Sequence, residues 1–243
     1  MIYRSQKNSG MRNMKKILFL ILSISIFSFG ALAQDSKWKV RLRMVSVDPN
    51  DNSETIILTE GSYVDVQNDF IPEVDVTYMF TDNWGLEAIA GTSAHSIIAV
   101  EGFAAGQRTG EVSLLPPTFT MQYFFNPDTD VHFYLGAGLN YTVFYDYQRS
   151  KEMDHFLLGY QNNDPEDDPI IVNVEDLEFS NSFGIALNTG IDGYISDNWL
   201  FNVDLKYILI DTTADIIVGG EVADSIDVDI NPWLISIGVG YKF

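Results

Sequence analysis

Cysteine is absent from the sequence. Its absence excludes a disulfide framework, a thiolate metal site and a cysteine nucleophile. Basic residues are scarce. There are 14 Lys and Arg against 34 Asp and Glu, and five of the 14 fall in residues 1–33, so nine against 34 leave a formal charge of −25 beyond that point. So negative a surface repels phosphate backbones, and a nucleic-acid partner is excluded. The three histidines, His95, His132 and His155, are scattered, and no D-x-D-x-D-G loop occurs. Neither a metal centre nor a cofactor is expected, and a nucleophile–base–acid triad lacks its third member. Beyond residue 33 no run of 18 apolar residues exists. A membrane-crossing helix is therefore excluded there, although a membrane-crossing barrel is not.

The N-terminus reads as a targeting signal. Met14-Lys15-Lys16 precedes the apolar stretch ILFLILSISIFSFG and then Ala31-Leu32-Ala33-Gln34. A basic head, a short apolar core and an A-x-A site are the parts of a secretory signal peptide. Cleavage is expected after Ala33, with residues 1–13 an upstream extension and residues 34–243 one domain. No cysteine follows the site to carry a lipid.

What the sequence does contain is alternation with period two. In Trp38–Val45, Trp38, Val40, Leu42 and Met44 share one face, and Lys39, Arg41 and Arg43 the other. Strict alternation predicts a strand. The same pattern predicts strands over Pro72–Phe80, Trp84–Ser93, Leu115–Phe125, Phe133–Val143, Phe183–Ile191, Trp199–Leu209 and Trp233–Phe243. Just upstream of the last strand, Val228 and Ile230 have the opposite parity, which predicts a bulge near Asn231-Pro232. Connections near 81–83, 126–130 and 195–198 are tight, whereas those near 48–65, 94–112, 146–178 and 211–227 are long. The expectation is an all-β fold: an eight-stranded antiparallel transmembrane β-barrel in an outer membrane, with short periplasmic turns and long extracellular loops.

Two near-identical words, Thr81-Asp82-Asn83-Trp84 and Ser196-Asp197-Asn198-Trp199, mark two of the tight turns. Aromatic residues flank the short turns throughout: Tyr78, Phe80, Trp84, Tyr123, Phe125, Phe133 and Trp199, with Trp38 and Tyr241 at the chain ends. Together they predict an aromatic belt at the periplasmic interface.

Parity assigns the opposite face to the lumen. The lining candidates are Lys39, Arg41, Arg43, Glu73, Asp75, Glu87, Gln122, Asn140, Phe144, Asn188, Asp192, Asp204 and Lys206. Arg41 and Arg43 on the first strand are placed to pair with Glu73 and Asp75 on the second, because charges in a narrow lumen must be paired. Such pairs would form a plug that bars water and ions and leaves an apolar solute a sideways route through the wall. Ile89, Phe144 and Ile208 are candidates for an apolar upper lumen, with Phe144 at its mouth. Gly136, Gly138, Gly184 and Gly190 also face inward and leave room for long side chains.

Several blocks resemble the OmpW family of small outer-membrane proteins: WKVRLRMVSVDP (38–49), TYMFTDNWGLEAIAG (77–91), LLPPTFTMQYFF (114–125), YLGAGLNYTVFY (134–145), TGIDGYISDNWLFNVDLKY (189–207) and NPWLISIGVGYKF (231–243). The resemblance implies an eight-stranded barrel with a narrow channel for small hydrophobic molecules, and links to stress responses and colicin reception. It also implies that the terminal Phe243 is a recognition signal for the barrel-assembly machinery. Partners so expected are membrane lipid, lipopolysaccharide, that machinery and small apolar solutes. The long acidic segment within 146–178 departs from the family pattern. It supports an alternative, a sealed structural or surface-interaction barrel that acts through its acidic loops.

Overall fold

The computed structural model describes residues 37–54, 63–101, 105–160 and 168–243. The expected signal peptide and residues 161–167 of the acidic segment lie outside the described residues.

In chain order the strands are β1 (Trp38–Asp48), β2 (Asn52–Ser53), β3 (Tyr63–Val66), β4 (Asp69–Met79), β5 (Trp84–Ala90), β6 (Ser93–Val100), β7 (Arg108–Leu115), β8 (Thr118–Phe124) and β9 (Val131–Arg149). There follow β10 (Phe156–Tyr160), β11 (Pro169–Val172), β12 (Asp176–Phe179), β13 (Ser182–Tyr194), β14 (Trp199–Ile208), β15 (Asp211–Val218), β16 (Glu221–Asp229) and β17 (Trp233–Lys242). Eight of these close on themselves in the order β1, β4, β5, β8, β9, β13, β14, β17, and β17 pairs back onto β1. All the pairings are antiparallel. Closure leaves no unpaired edge inside lipid, where each unsatisfied backbone group costs several kcal/mol.

β9 is 19 residues long. At roughly 3.3 Å per residue it reaches about 60 Å, about twice what crossing a membrane requires. Its lower part pairs with β8 and β13, and above Thr142 it pairs with β7. The barrel wall therefore continues upward beyond the membrane. β3, β6, β7 and the top of β9 form one side of this extension; β12, β15, β16 and β2 form a second sheet. Phe179 on β12 stacks on Phe144 of β9, with centroids 5.8 Å apart. The expected long loops are thus largely strands.

The reason is an inversion of polarity along the inward faces of β1, β4, β5 and β14. On β1 the inward residues run Lys39, Arg41, Arg43 and then Val45 and Val47. Through β14 and β15 they run Asp204, Lys206, then Ile208, Ile210, Ala214 and Ile216. Below the switch the barrel is apolar outside and polar inside, as lipid demands; above it the outside meets water and the apolar residues move inside. This corrects the bulge expected at Asn231-Pro232. Asn231 does take a left-handed backbone, φ 37°. Yet Ile226, Val228, Ile230, Leu234 and Ser236 are all buried on one continuous inward parity. The apolar face changed sides; the register did not slip.

The two repeated turn words fold the same way. The Trp84 amide donates to Thr81 Oγ1 at 3.0 Å and the Trp199 amide to Ser196 Oγ at 3.1 Å. Asn83 Nδ2 donates to the Phe124 carbonyl at 2.9 Å, and Asn198 Nδ2 to the Lys242 carbonyl at 2.7 Å. Each asparagine therefore ties its turn to the end of the next strand in the wall. Asn83→Ala and Asn198→Ala are each expected to cost about 1 kcal/mol, the net worth of one such bond. The two costs should add, since the sites share no partner. Denaturant unfolding of the reconstituted barrel measures this, and an unaltered midpoint in the double variant would show that water replaces both bonds at no cost.

Rings cluster at the same end. Trp38 and Tyr78 centroids are 4.7 Å apart, Trp84 and Tyr123 5.0 Å, Tyr123 and Phe125 4.9 Å, Trp199 and Tyr241 5.2 Å, and Tyr241 and Phe243 4.9 Å. Phe80 is edge-on to Tyr78, and Phe133 is exposed at the start of β9. At the other end Tyr207 and Trp233 pair at 4.7 Å. Between the two levels the outer surface carries Leu42, Met121, Leu135, Leu187, Val203 and Ile237, all exposed.

Candidate functional site

Inside the lower barrel, charged side chains from five strands meet in one ion-paired network, and neutral side chains from β8 and β9 join it. Arg41 Nη1 lies 2.9 Å from Asp75 and 3.1 Å from Glu87, and its Nη2 3.2 Å from Asp192. Arg43 reaches Glu73 at 3.3 Å, Asp75 at 3.2 Å and Glu87 at 3.1 Å. Lys39 pairs with Asp192 at 3.1 Å, and Lys206 with Glu87 at 3.4 Å and Asp204 at 3.8 Å. None of these side chains is more than 6% exposed. A guanidinium presents a fork of donors and so can serve three carboxylates at once. Four cations face five carboxylates, and neutral donors share the excess: Asn202 bonds to Asp192, Asn188 to Asp204, and Thr120 to Glu87.

The pairs anticipated between β1 and β4 are present, and Glu87 adds contacts to both arginines and Lys206 from across the lumen. Two members were not singled out from the sequence. Tyr134, fully buried, donates to Asp204 at 2.8 Å and accepts from Asn202 Nδ2 at 3.1 Å. Phe124 lies beneath Lys39, whose ammonium is 3.8 Å from the ring centroid. Both have lumen parity, the signal that would have found them. Gly190 makes the space for Tyr134, since a Cβ there would collide with the tyrosine hydroxyl. Gln122 is fully buried on the same level, and neither of its amide atoms has a hydrogen-bond partner among the described residues. Asn140 stands apart from the network and bonds to Thr118 and Thr142.

Above the plug the lining turns apolar and encloses two cavities of about 40 Å³ each. The inner one rests on the plug, with Glu73 and Lys206 in its floor and Ile71, Ile89, Ile208 and Leu234 around it. His95 also lines it, with Nδ1 2.7 Å from the Gln67 carbonyl. That carbonyl can only accept, so in this hydrogen bond Nδ1 carries a proton. The outer cavity lies within the extension. Phe144 is in its wall, among Val112, Met153, Phe156 and Phe179.

The OmpW family model matches residues 34–243. The chain belongs to the OmpW family. Outer membrane protein W of Vibrio cholerae serotype O1 is 36% identical over 213 residues, which span 86% of this chain and 90% of that protein. The crystal structure of OprG from Pseudomonas aeruginosa matches with a TM-score of 0.71 at 29% identity, over 85% of this chain and 95% of that one. The Pseudomonas aeruginosa protein named Dibenzothiophene metabolism operon protein PahQ is 21% identical over 94% of this chain and 99% of its own.

The OmpW-family barrel therefore resides in the outer membrane, embedded in its bilayer. Chemically, its lower lumen is a poor path for anything apolar, because each displaced ion pair would leave buried charge uncompensated. The outer cavity of its upper lumen is a poor place for anything charged, because Thr109 and Thr212 are the polar residues in its lining.

Proposed function

We propose that this barrel is a conduit, not an enzyme, that takes small hydrophobic molecules from outside into its upper lumen and releases them sideways into the membrane. The observation that carries this reading is the switch along the inward faces of β1, β4, β5 and β14 from an ion-paired plug to an apolar vestibule. A molecule that enters from above meets apolar walls and then a floor it cannot cross. The wall beside the inner cavity has a weak point. The β4–β5 ladder ends at Val74 and Ala90 and resumes between β3 and β6 at Val66 and Ile97, which leaves a gap in the ladder. Ile71, Glu73, Gly91 and Ser93 line the cavity at this seam, which the Ala94 amide crosses to Asp69 Oδ2 at 3.0 Å. A relative named for a dibenzothiophene metabolism operon fits a flat apolar solute. In the same reading the turn-end rings sit at the periplasmic interface, and Phe243 marks the chain for assembly.

Uptake of a fluorescent apolar probe by proteoliposomes containing the folded barrel tests the proposal. Saturable uptake is expected. Phe144→Ala removes an apolar ring from the wall of the outer cavity, so uptake should fall. No excess uptake from a barrel whose folding is verified by its heat-dependent gel shift would overturn the conduit and favour action through the acidic outer surface.

A further inference from the structure

Leu114 and Ile230 line both cavities, and both are buried, at 4% and 5% exposure. They stand where the outer cavity ends and the inner one begins, so a solute passing from one to the other must go between or past them. The linings on the two sides differ. The outer wall is apolar apart from Thr109 and Thr212, while the inner wall adds Glu73, Ser93, His95, Thr118 and Lys206. The partition is therefore the last fully apolar level before polar groups begin.

The two residues are held differently. Ile230 is fixed twice through its backbone, its amide donating to the Ile210 carbonyl at 2.8 Å and its carbonyl accepting from Asn50 at 3.0 Å. Its β-branched side chain also has few rotamers to choose from. Leu114 is pinned by its strand pairs to Ser93 and Phe144, and its carbonyl accepts from Thr92 Oγ1 at 2.9 Å. Its side chain is not branched at Cβ, and there is cavity on either side for it to swing into. A rotamer change at Leu114 alone would join the two spaces with no movement of backbone. Since each space is only about 40 Å³, joining them matters for any solute larger than a few waters.

We propose that Leu114 is a swinging partition, closing against Ile230, whose size sets the width of the apolar solute that the barrel passes. This rests on the conduit reading and adds to it a residue that determines specificity.

The test compares uptake of two neutral aromatic probes, naphthalene and pyrene, into proteoliposomes containing wild type, Leu114→Ala or Leu114→Trp, each verified as folded by its gel shift. Leu114→Ala should raise the pyrene-to-naphthalene uptake ratio at least threefold. Leu114→Trp should lower uptake of both at least tenfold. An uptake ratio in Leu114→Ala equal to that of wild type overturns the partition, and decides the matter even where Leu114→Trp fails to assemble. The outcomes separate the two claims. Absence of saturable naphthalene uptake by wild type defeats the conduit itself. Wild-type uptake that falls with Phe144→Ala but ignores Leu114 defeats only the partition.

Discussion

Arg43→Ala is expected to destabilise the barrel by about 3–5 kcal/mol, the usual cost of removing one partner from a buried ionic network. Arg43 holds Glu73, Asp75 and Glu87 within 3.3 Å and donates from Nε to Asn202 at 2.7 Å. Without it three cations face five carboxylates in a site closed to water. The cost arises from those stranded carboxylates more than from the attraction lost, because the attraction was largely offset by desolvating the guanidinium. A companion variant separates charge from shape. Glu87→Gln removes one negative charge from a network that has one in excess, and retains a side chain of the same size. It should cost less than Arg43→Ala, because four cations then face four carboxylates and the loss is that of the charge on the contacts to Arg41, Arg43 and Lys206. Urea unfolding of the liposome-embedded protein, followed by tryptophan fluorescence, gives both numbers. Trp38, Trp84, Trp199 and Trp233 all lie outside the lumen, so none reports the substitution directly. Equal losses in the two variants would mean that filling the lumen, not balancing its charge, is what the plug contributes.

That comparison also shows how far the sequence could be read. Alternation gives the face of a residue but not its position around the barrel. Arg41 and Arg43 could be matched with Asp75 and Glu73 because β1 and β4 are consecutive membrane strands. Glu87 and Asp192 come from farther around the wall, and nothing local says they reach the same two arginines. The membrane strands were legible because lipid outside and charge inside give the strongest possible contrast. The extension was not, because there the contrast reverses. Val228 and Ile230 kept their parity while their environment changed, and a rule that equates apolar with outward read them as a register shift. Phe124 was hidden differently: it sits between Tyr123 and Phe125, and a run of three rings reads as belt although the middle one points inward. His95 is similar. In sequence it falls in the long connection near 94–112, and its place in the inner cavity follows only once β6 is known to continue the wall.

The second large effect concerns the lipid face and depends on depth. Ile237 is 63% exposed, midway along β17, and pairs with Met44 and Val203 at the middle of the neighbouring strands. Ile237→Arg should cost about 2–4 kcal/mol, the penalty for arginine at the bilayer midplane. Tyr241→Arg, four residues along the same strand and face, loses its edge-on contacts with Trp199 and Phe243. Its charge, though, would lie at the interface, where the penalty falls to about 0–1 kcal/mol. The difference between the two variants matters more than either alone, because it measures where the bilayer centre crosses β17. A larger loss at Tyr241 than at Ile237 would move the apolar band down the barrel. The polarity switch on the inward faces would then no longer sit near the outer membrane surface, and a sideways exit from the inner cavity would open into water. A larger loss at Ile237 keeps the seam beside Ile71 and Gly91 in contact with lipid, as release of an apolar solute into the membrane requires.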